Sequence, residues 1–304
     1  MTPTSTLYAD APARHVFFSP ARIWAIATNT LLDLIRQKVF YFLLIFAVLA
    51  IGISPFINQF NFQDQFQFLK DMCLGAMSIF TWLLSVLATA MLLPKDIEDR
   101  TLYTILAKPV PRFEYLLGKF LGIMLLLFIS LLLMSVIFVI TLYGREQFAL
   151  ADTMRYYANA PADVLQAQLK SIHDASFTIS LIPGILIIFV KGSIFASLTL
   201  LISTFASSMI FTIMVSVACN FIGHLQAIAR DVWLSPGTAG PLARSFLALV
   251  ALVFPDLQLF NLVDDIVAGN TISLILFTKT AALGALYTCI YLLLAYFIFA
   301  AKEL

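Results

Sequence analysis

Charge is scarce in this chain. Only 12% of its 304 residues are Asp, Glu, Lys or Arg, against roughly 25% in an average soluble domain. The 18 basic side chains nearly cancel the 17 acidic ones, so no basic field points at nucleic acid. Cysteine is almost absent: Cys73, Cys219 and Cys289 lie inside apolar runs, with neither a paired metal-ligand spacing nor a disulfide framework. His15, His173 and His224 are the only histidines, and no Gly-x-Ser-x-Gly or His-Glu-x-x-His occurs, which leaves intramembrane serine and zinc hydrolysis unsupported. A phosphate-binding loop is missing too: Gly118-Lys119 is followed by Phe120 and lacks the upstream glycine. Glycine is modest at 12 residues. What remains is oil, with 61% hydrophobic residues, 28 of them Phe, and a mean hydropathy of +0.97. A soluble fold of this size cannot hide that much apolar surface, and a disordered chain cannot carry it. The class is a polytopic membrane protein.

A helix crosses the hydrocarbon layer with about 20 apolar residues. Spans are expected at 39–57, at 72–93 ending on Pro94, at 120–143, at 177–203, at 207–229 and at 273–301, six in all. From Phe177 to Ala229 the only charge is Lys191, and the polar cluster Ser203-Thr204-Phe205-Ala206-Ser207-Ser208 divides that stretch into two helices. Leu242–Phe254, bounded by Pro241 and Pro255, is too short to span and carries Arg244, so a surface or re-entrant helix is expected there.

Flanking Lys and Arg set orientation. With the N-terminus cytoplasmic, ten (Arg14, Arg22, Arg36, Lys38, Lys95, Arg100, Lys108, Arg112, Lys119, Lys302) stand inside against six outside (Lys70, Arg145, Arg155, Lys170, Arg230, Arg244). Both termini are therefore expected in the cytoplasm. The first apolar run begins only at residue 39, which argues for an uncleaved anchor rather than a cleaved signal peptide.

Residues 1–18 read as a flexible cytoplasmic tail and 19–304 as a single membrane domain. Ser19-Pro20 is a helix start, and Ile23, Ala27, Leu31 and Leu34 recur at helical spacing. An amphipathic helix on the inner surface is expected; a plain extension of the first span is the alternative. The segment 94–119 holds nine of the 35 charged residues. Asp96, Glu98 and Asp99 suit a helix N-terminus, Leu102, Ile105 and Leu106 form a stripe, and Lys108 precedes the stops Pro109 and Pro111. A second short helix then carries Arg112, Glu114 and Lys119 into the third span. Such a short charged helix suits docking to a partner, although a solvated loop would use similar residues.

This stretch resembles the cytoplasmic loop of type-2 ABC exporter permeases, nearest to those described for multicopper-enzyme maturation. The matching residues are Glu98, Asp99, Thr101, Leu102, Leu106, Lys108, Pro109, Val110, Arg112, Gly118 and Lys119, while Arg100 replaces the usual Gly and Pro111 the usual Ser or Thr. The resemblance implies an all-α permease with an elbow helix at 19–36, six spans, a cytoplasmic coupling helix and re-entrant helices within 242–268, before the last span. It also implies no catalytic site on this chain. ATP and Mg would be held by a separate cytoplasmic ABC ATPase, joined by a second permease copy, identical or paralogous, in a bacterial inner membrane. The coupling residues would be Asp96, Glu98, Asp99, Arg100, Thr101, Leu102, Leu106, Lys108, Pro109 and Arg112. The cargo of such an exporter is not named by these residues.

Lys191, near mid-membrane, costs on the order of 3 kcal/mol on insertion scales. It reads as a contact on a translocation path or as a structural pair, and Pro183-Gly184 upstream would kink the helix to make room. Lys279 reads as snorkelling. The loop 144–176 holds a helix from Pro161 with Val164, Leu165, Leu169 and Ile172 on one face, and Asp256, Asp264 and Asp265 read as solvated loop charge. The rival class is a secondary transporter or channel without ATP coupling. That class predicts inverted repeats and buried acids, which the sequence does not display. A structural membrane anchor for another complex is the third reading.

Overall fold

The structure is a computed structural model that describes residues 18–54, 62–98, 111–158, 161–178, 180–206, 208–233, 240, 242, 245, 254–267 and 272–301. These residues are helical, with no strand among them. The long elements are α1 (Pro20–Ile35), α2 (Lys38–Ile53), α3 (Phe62–Glu98), α4 (Arg112–Tyr156), α5 (Ala162–Ser176), α6 (Leu181–Phe205) and α7 (Met209–Trp233). A 3-10 turn (Leu257–Phe260), the short α8 (Val263–Val267) and α9 (Leu274–Ala301) complete the described order. Five helical stretches are long and apolar enough to cross a membrane, and α1 with α2, bent by 69°, forms a sixth candidate.

α1 starts where its residues dictate. Pro20 fixes the first helical φ, and the Ser19 carbonyl accepts from Arg22 and Ile23 N–H. The Ser19 side chain makes no cap bond. Ile23, Ala27, Thr30 and Leu34 are buried, with Leu31 half-buried. That stripe packs on α4 rather than lying free for a bilayer surface. Contact is close because Gly118 and Gly122, four apart, carry no side chain. A Cβ on Gly122 would stand 2.6 Å from Thr30 Cβ and 2.8 Å from the Ala27 carbonyl oxygen. Small residues at this spacing let membrane helices approach backbone to backbone.

Several boundaries differ from expectation, and α3 already begins at Phe62, ten residues before 72. α3 does not stop at Pro94 but runs through it to Glu98. Proline removes one ladder hydrogen bond, and side-chain contacts of Asp96 hold the next turn. The short helix expected at 112–119 and the start of the outer loop are both parts of α4, one helix of 45 residues. Its length is about 68 Å at 1.5 Å per residue, more than twice the hydrocarbon layer, and no proline interrupts it. The first span begins as expected, but α2 ends at Ile53, and 55–61 lies outside the described residues.

α6 is the centre of the bundle, packed against α3, α4, α7 and α9. Ser85 Oγ donates to the Gly192 carbonyl at 2.9 Å, and Lys70 reaches Thr178. Residue numbers rise together along both helices, so α3 and α6 run parallel. The Ile272 N–H donates to Ser180 Oγ at 3.4 Å and the Ser193 and Thr288 hydroxyls meet at 3.3 Å, so by the same argument α9 is parallel to α6. α6 ends at Phe205, within the expected polar cluster, and α7, from Met209, returns antiparallel, with His224 beside Lys191. Of the expected re-entrant segment, 254–267 is described. Leu257 fills the notch left by Gly223 of α7, and Ile266 that left by Gly184 of α6. Most of Leu242–Phe254 lies outside the described residues.

α5 forms after Pro161 as expected, though Val164 is exposed while Leu165 and Leu169 are half-buried and Ile172 buried. Buried Lys70 donates to the Ala175 carbonyl at 2.7 Å, and His173 Nδ1 lies 2.8 Å from buried Glu146. α5 is thus pinned to both α3 and α4. Lys279 is exposed on α9.

Candidate functional site

The parallel run of α3, α6 and α9 carries the ends of α3 and α9 to one end of the bundle, where α4 begins and α1 crosses. The charged segment expected to dock a partner emerges there. Asp96 accepts an ion-pair contact from Lys119 Nζ at 2.6 Å, with the side chains 16% and 7% exposed. The Tyr115 hydroxyl also donates to Asp96 Oδ2. Tyr115 stacks on Phe299 of α9 at 5.9 Å between centroids, and Lys119 Nζ stands 5.6 Å from the Tyr115 ring centroid. Arg112 donates to the carbonyls of Phe299 and Ala300 at 3.1 and 2.8 Å. Those carbonyls sit at the C-terminus of α9, where the helix dipole favours a cation.

Glu114 completes the cluster. It is 1% exposed and accepts two bonds from Arg22, Nε at 2.7 Å and Nη2 at 2.9 Å, plus the Ser19 N–H at 2.8 Å. A bidentate guanidinium and a backbone donor satisfy a buried carboxylate well. The consequence is mechanical: the first turn of α1 is tied to the first turn of α4. The sequence marked Glu114 only as part of a helix, and its partner lies 92 positions away. The visible signal was one acid, between Arg112 and Lys119, ahead of the uncharged span 120–143.

Of the expected coupling residues, Asp96 and Arg112 are in this cluster, on either side of segment 99–110, with Asp96 in the last turn of α3 rather than at a helix N-terminus. Glu98 closes α3, and nothing is described of its side chain. Asp99, Arg100, Thr101, Leu102, Leu106, Lys108 and Pro109 lie outside the described residues, as does Val110. Gly118 and Lys119, named for their motif, do structural work against α1 and Asp96.

Lys191 is half-buried on α6, with Nζ 3.5 Å from Nε2 of His224 on α7. His224 Nδ1 lies 2.9 Å from the Asn220 carbonyl. A carbonyl only accepts, so Nδ1 carries the hydrogen and Nε2 turns its lone pair to the ammonium. The lysine therefore has a side-chain partner, which the sequence did not point to. In register further along α6 and α7 are Thr199, Ser203 and Ser216, all buried, whose hydroxyls have no hydrogen-bond partner among the described residues. Asp256 is not a solvated loop charge: it is buried and accepts from the Gln258 N–H at 3.1 Å. Asp264 is exposed and accepts from Asn261 at 2.6 Å, and Asp265 is exposed. Among the described residues no three His, Cys, Asp or Glu come together to hold a metal.

The fold and these clusters define an all-helical protein with several helices able to cross a membrane. No family model matches the chain, and no curated protein matches its sequence.

Proposed function

We propose that this chain is the membrane-spanning permease subunit of an ATP-binding cassette exporter of the type-2 class, working as a dimer. One observation carries the reading: α1, α3, α4 and α9 are tied together by Glu114, Asp96, Lys119 and Arg112 at the two ends of the charged segment 99–110. A push on that segment is delivered to four helices at once, the requirement for turning a partner's closure into a rigid-body shift. In this reading the coupling helix is the one expected around Asp96–Ala107, of which 99–107 lies outside the described residues. The bent pair α1–α2 is an elbow followed by the first of six spans, both termini are cytoplasmic, and 255–267 is re-entrant. ATP and Mg belong to the partner ATPase. The Lys191–His224 pair and the buried hydroxyls of Thr199, Ser203 and Ser216 supply polar groups along a path through the bundle.

The test is co-expression with the ATPase of the neighbouring reading frame, followed by affinity purification and size analysis. A stable complex of two permeases and two ATPases supports the proposal. A chain that purifies alone, with no ATPase retained, overturns it in favour of a secondary transporter or channel.

A further inference from the structure

At the opposite end from the coupling cluster, the start of α3 and the far part of α4 enclose a cavity of about 250 Å³. Buried Phe66 and Leu69 of α3 and exposed Phe148 of α4 give it apolar walls, while Gln65, Arg145 and Asp152 supply its polarity. The uncharged stretch of α4 ends at Gly144. Arg145 and Glu146 follow Gly144, and Asp152 comes two turns later, so the cavity lies where hydrocarbon gives way to water. Its volume falls below the roughly 300 Å³ at which sites for drug-sized molecules begin. It suits a compact polar group whose apolar remainder stays outside.

The charges narrow the chemistry. Arg145 Nη2 donates to Gln65 Oε1 at 2.9 Å, which fixes the guanidinium against α3. Arg145 and Asp152 are seven residues apart, hence on one face of α4 and about 10.5 Å apart along its axis. That spacing admits an anionic and a cationic group in series, each in a charge-assisted hydrogen bond of about 2.8 Å. A purely anionic group would be repelled by Asp152, and a purely cationic one by Arg145. The exposed face of the Phe148 ring adds a surface for an ammonium.

We propose that this cavity binds the zwitterionic headgroup of a phosphoethanolamine lipid, with the phosphate on Arg145 and the primary ammonium on Asp152 beside Phe148. A primary ammonium has three N–H donors for the carboxylate, whereas a choline headgroup has none, so the site discriminates between two lipids of equal net charge. This inference does not depend on ATP coupling.

The test uses the full chain purified in detergent and supplied with equal amounts of phosphatidylethanolamine, phosphatidylcholine and phosphatidylglycerol. Retained lipid is counted by native mass spectrometry. Phosphatidylethanolamine is expected to be retained about tenfold over phosphatidylcholine, the ratio one charge-assisted hydrogen bond supports. Asp152→Asn, at an exposed position, should remove that preference and raise phosphatidylglycerol, and Arg145→Gln should lower retention of all three. Equal retention by the wild type, or a preference unchanged in both variants, overturns the proposal. Full displacement by equimolar soluble glycerophosphoethanolamine would overturn the lipid assignment in favour of a free zwitterion.

Discussion

Removing the Lys119 ammonium is the sharpest perturbation of the coupling cluster. In Lys119→Met the Asp96 carboxylate loses a cation at 2.6 Å, in a place where both side chains are largely shielded from water. Breaking a buried pair by deleting one partner costs about 3–5 kcal/mol. Asp96 keeps 16% exposure, so water screens part of the loss and a value of about 3 kcal/mol is the reasonable figure. At roughly 2–4 °C per kcal/mol for a chain of this size, the melting temperature should fall by roughly 6–12 °C. Asp96→Asn should cost a comparable amount, because it strands the ammonium instead. The double variant removes both charges, and replacing a buried pair by neutral groups is close to neutral. Its melting temperature should therefore lie no lower than that of the worse single variant. The assay is thermal unfolding in detergent, followed by the fluorescence of Trp24, Trp82 and Trp233. Additivity within about 0.5 kcal/mol, the behaviour of independent sites, would refute the claim that these two side chains work as a buried pair.

Two further perturbations separate structural from functional roles. Gly122→Leu forces a side chain into the Ala27 carbonyl and Thr30. Overpacking of this kind costs typically about 1–3 kcal/mol, and cysteines placed on α1 and α4 at this contact should then cross-link more slowly; an unchanged rate would show that the helices do not touch there. Lys191→Met removes a charge from the bundle interior, so the melting temperature should hold or rise while ATP turnover in the assembled complex drops. Unchanged turnover would take Lys191 off the translocation path.

The helices were legible in the sequence wherever a long apolar run met a polar interruption, as at 206–208 and before Leu274. Ser19-Pro20 marked the start of α1, and its stripe from Ile23 to Leu34 marked the buried face. Continuation was not legible. Pro94 looks like a stop when read locally, and only its neighbours' contacts across the bundle show why the helix goes on. Residues 112–119 and 144–156 read as separate pieces because charge marks the end of an apolar span, although a helix does not have to end where the membrane does. The candidate site was half legible. Asp96 and Arg112 stand out as charges flanking segment 99–110, but their partners, like Arg22 for Glu114 and His224 for Lys191, lie tens of residues away. No periodicity encodes such pairs.

The central claim is that segment 94–119 transmits the action of a separate ATPase. The most direct measurement is ATP hydrolysis by the purified permease–ATPase complex carrying Glu98→Lys and Asp99→Lys together, compared with the unaltered complex. The account predicts a variant chain that still inserts in the membrane but has lost transport, with hydrolysis well below that of the unaltered complex. Wild-type transport and full ATPase stimulation in the double variant would contradict it.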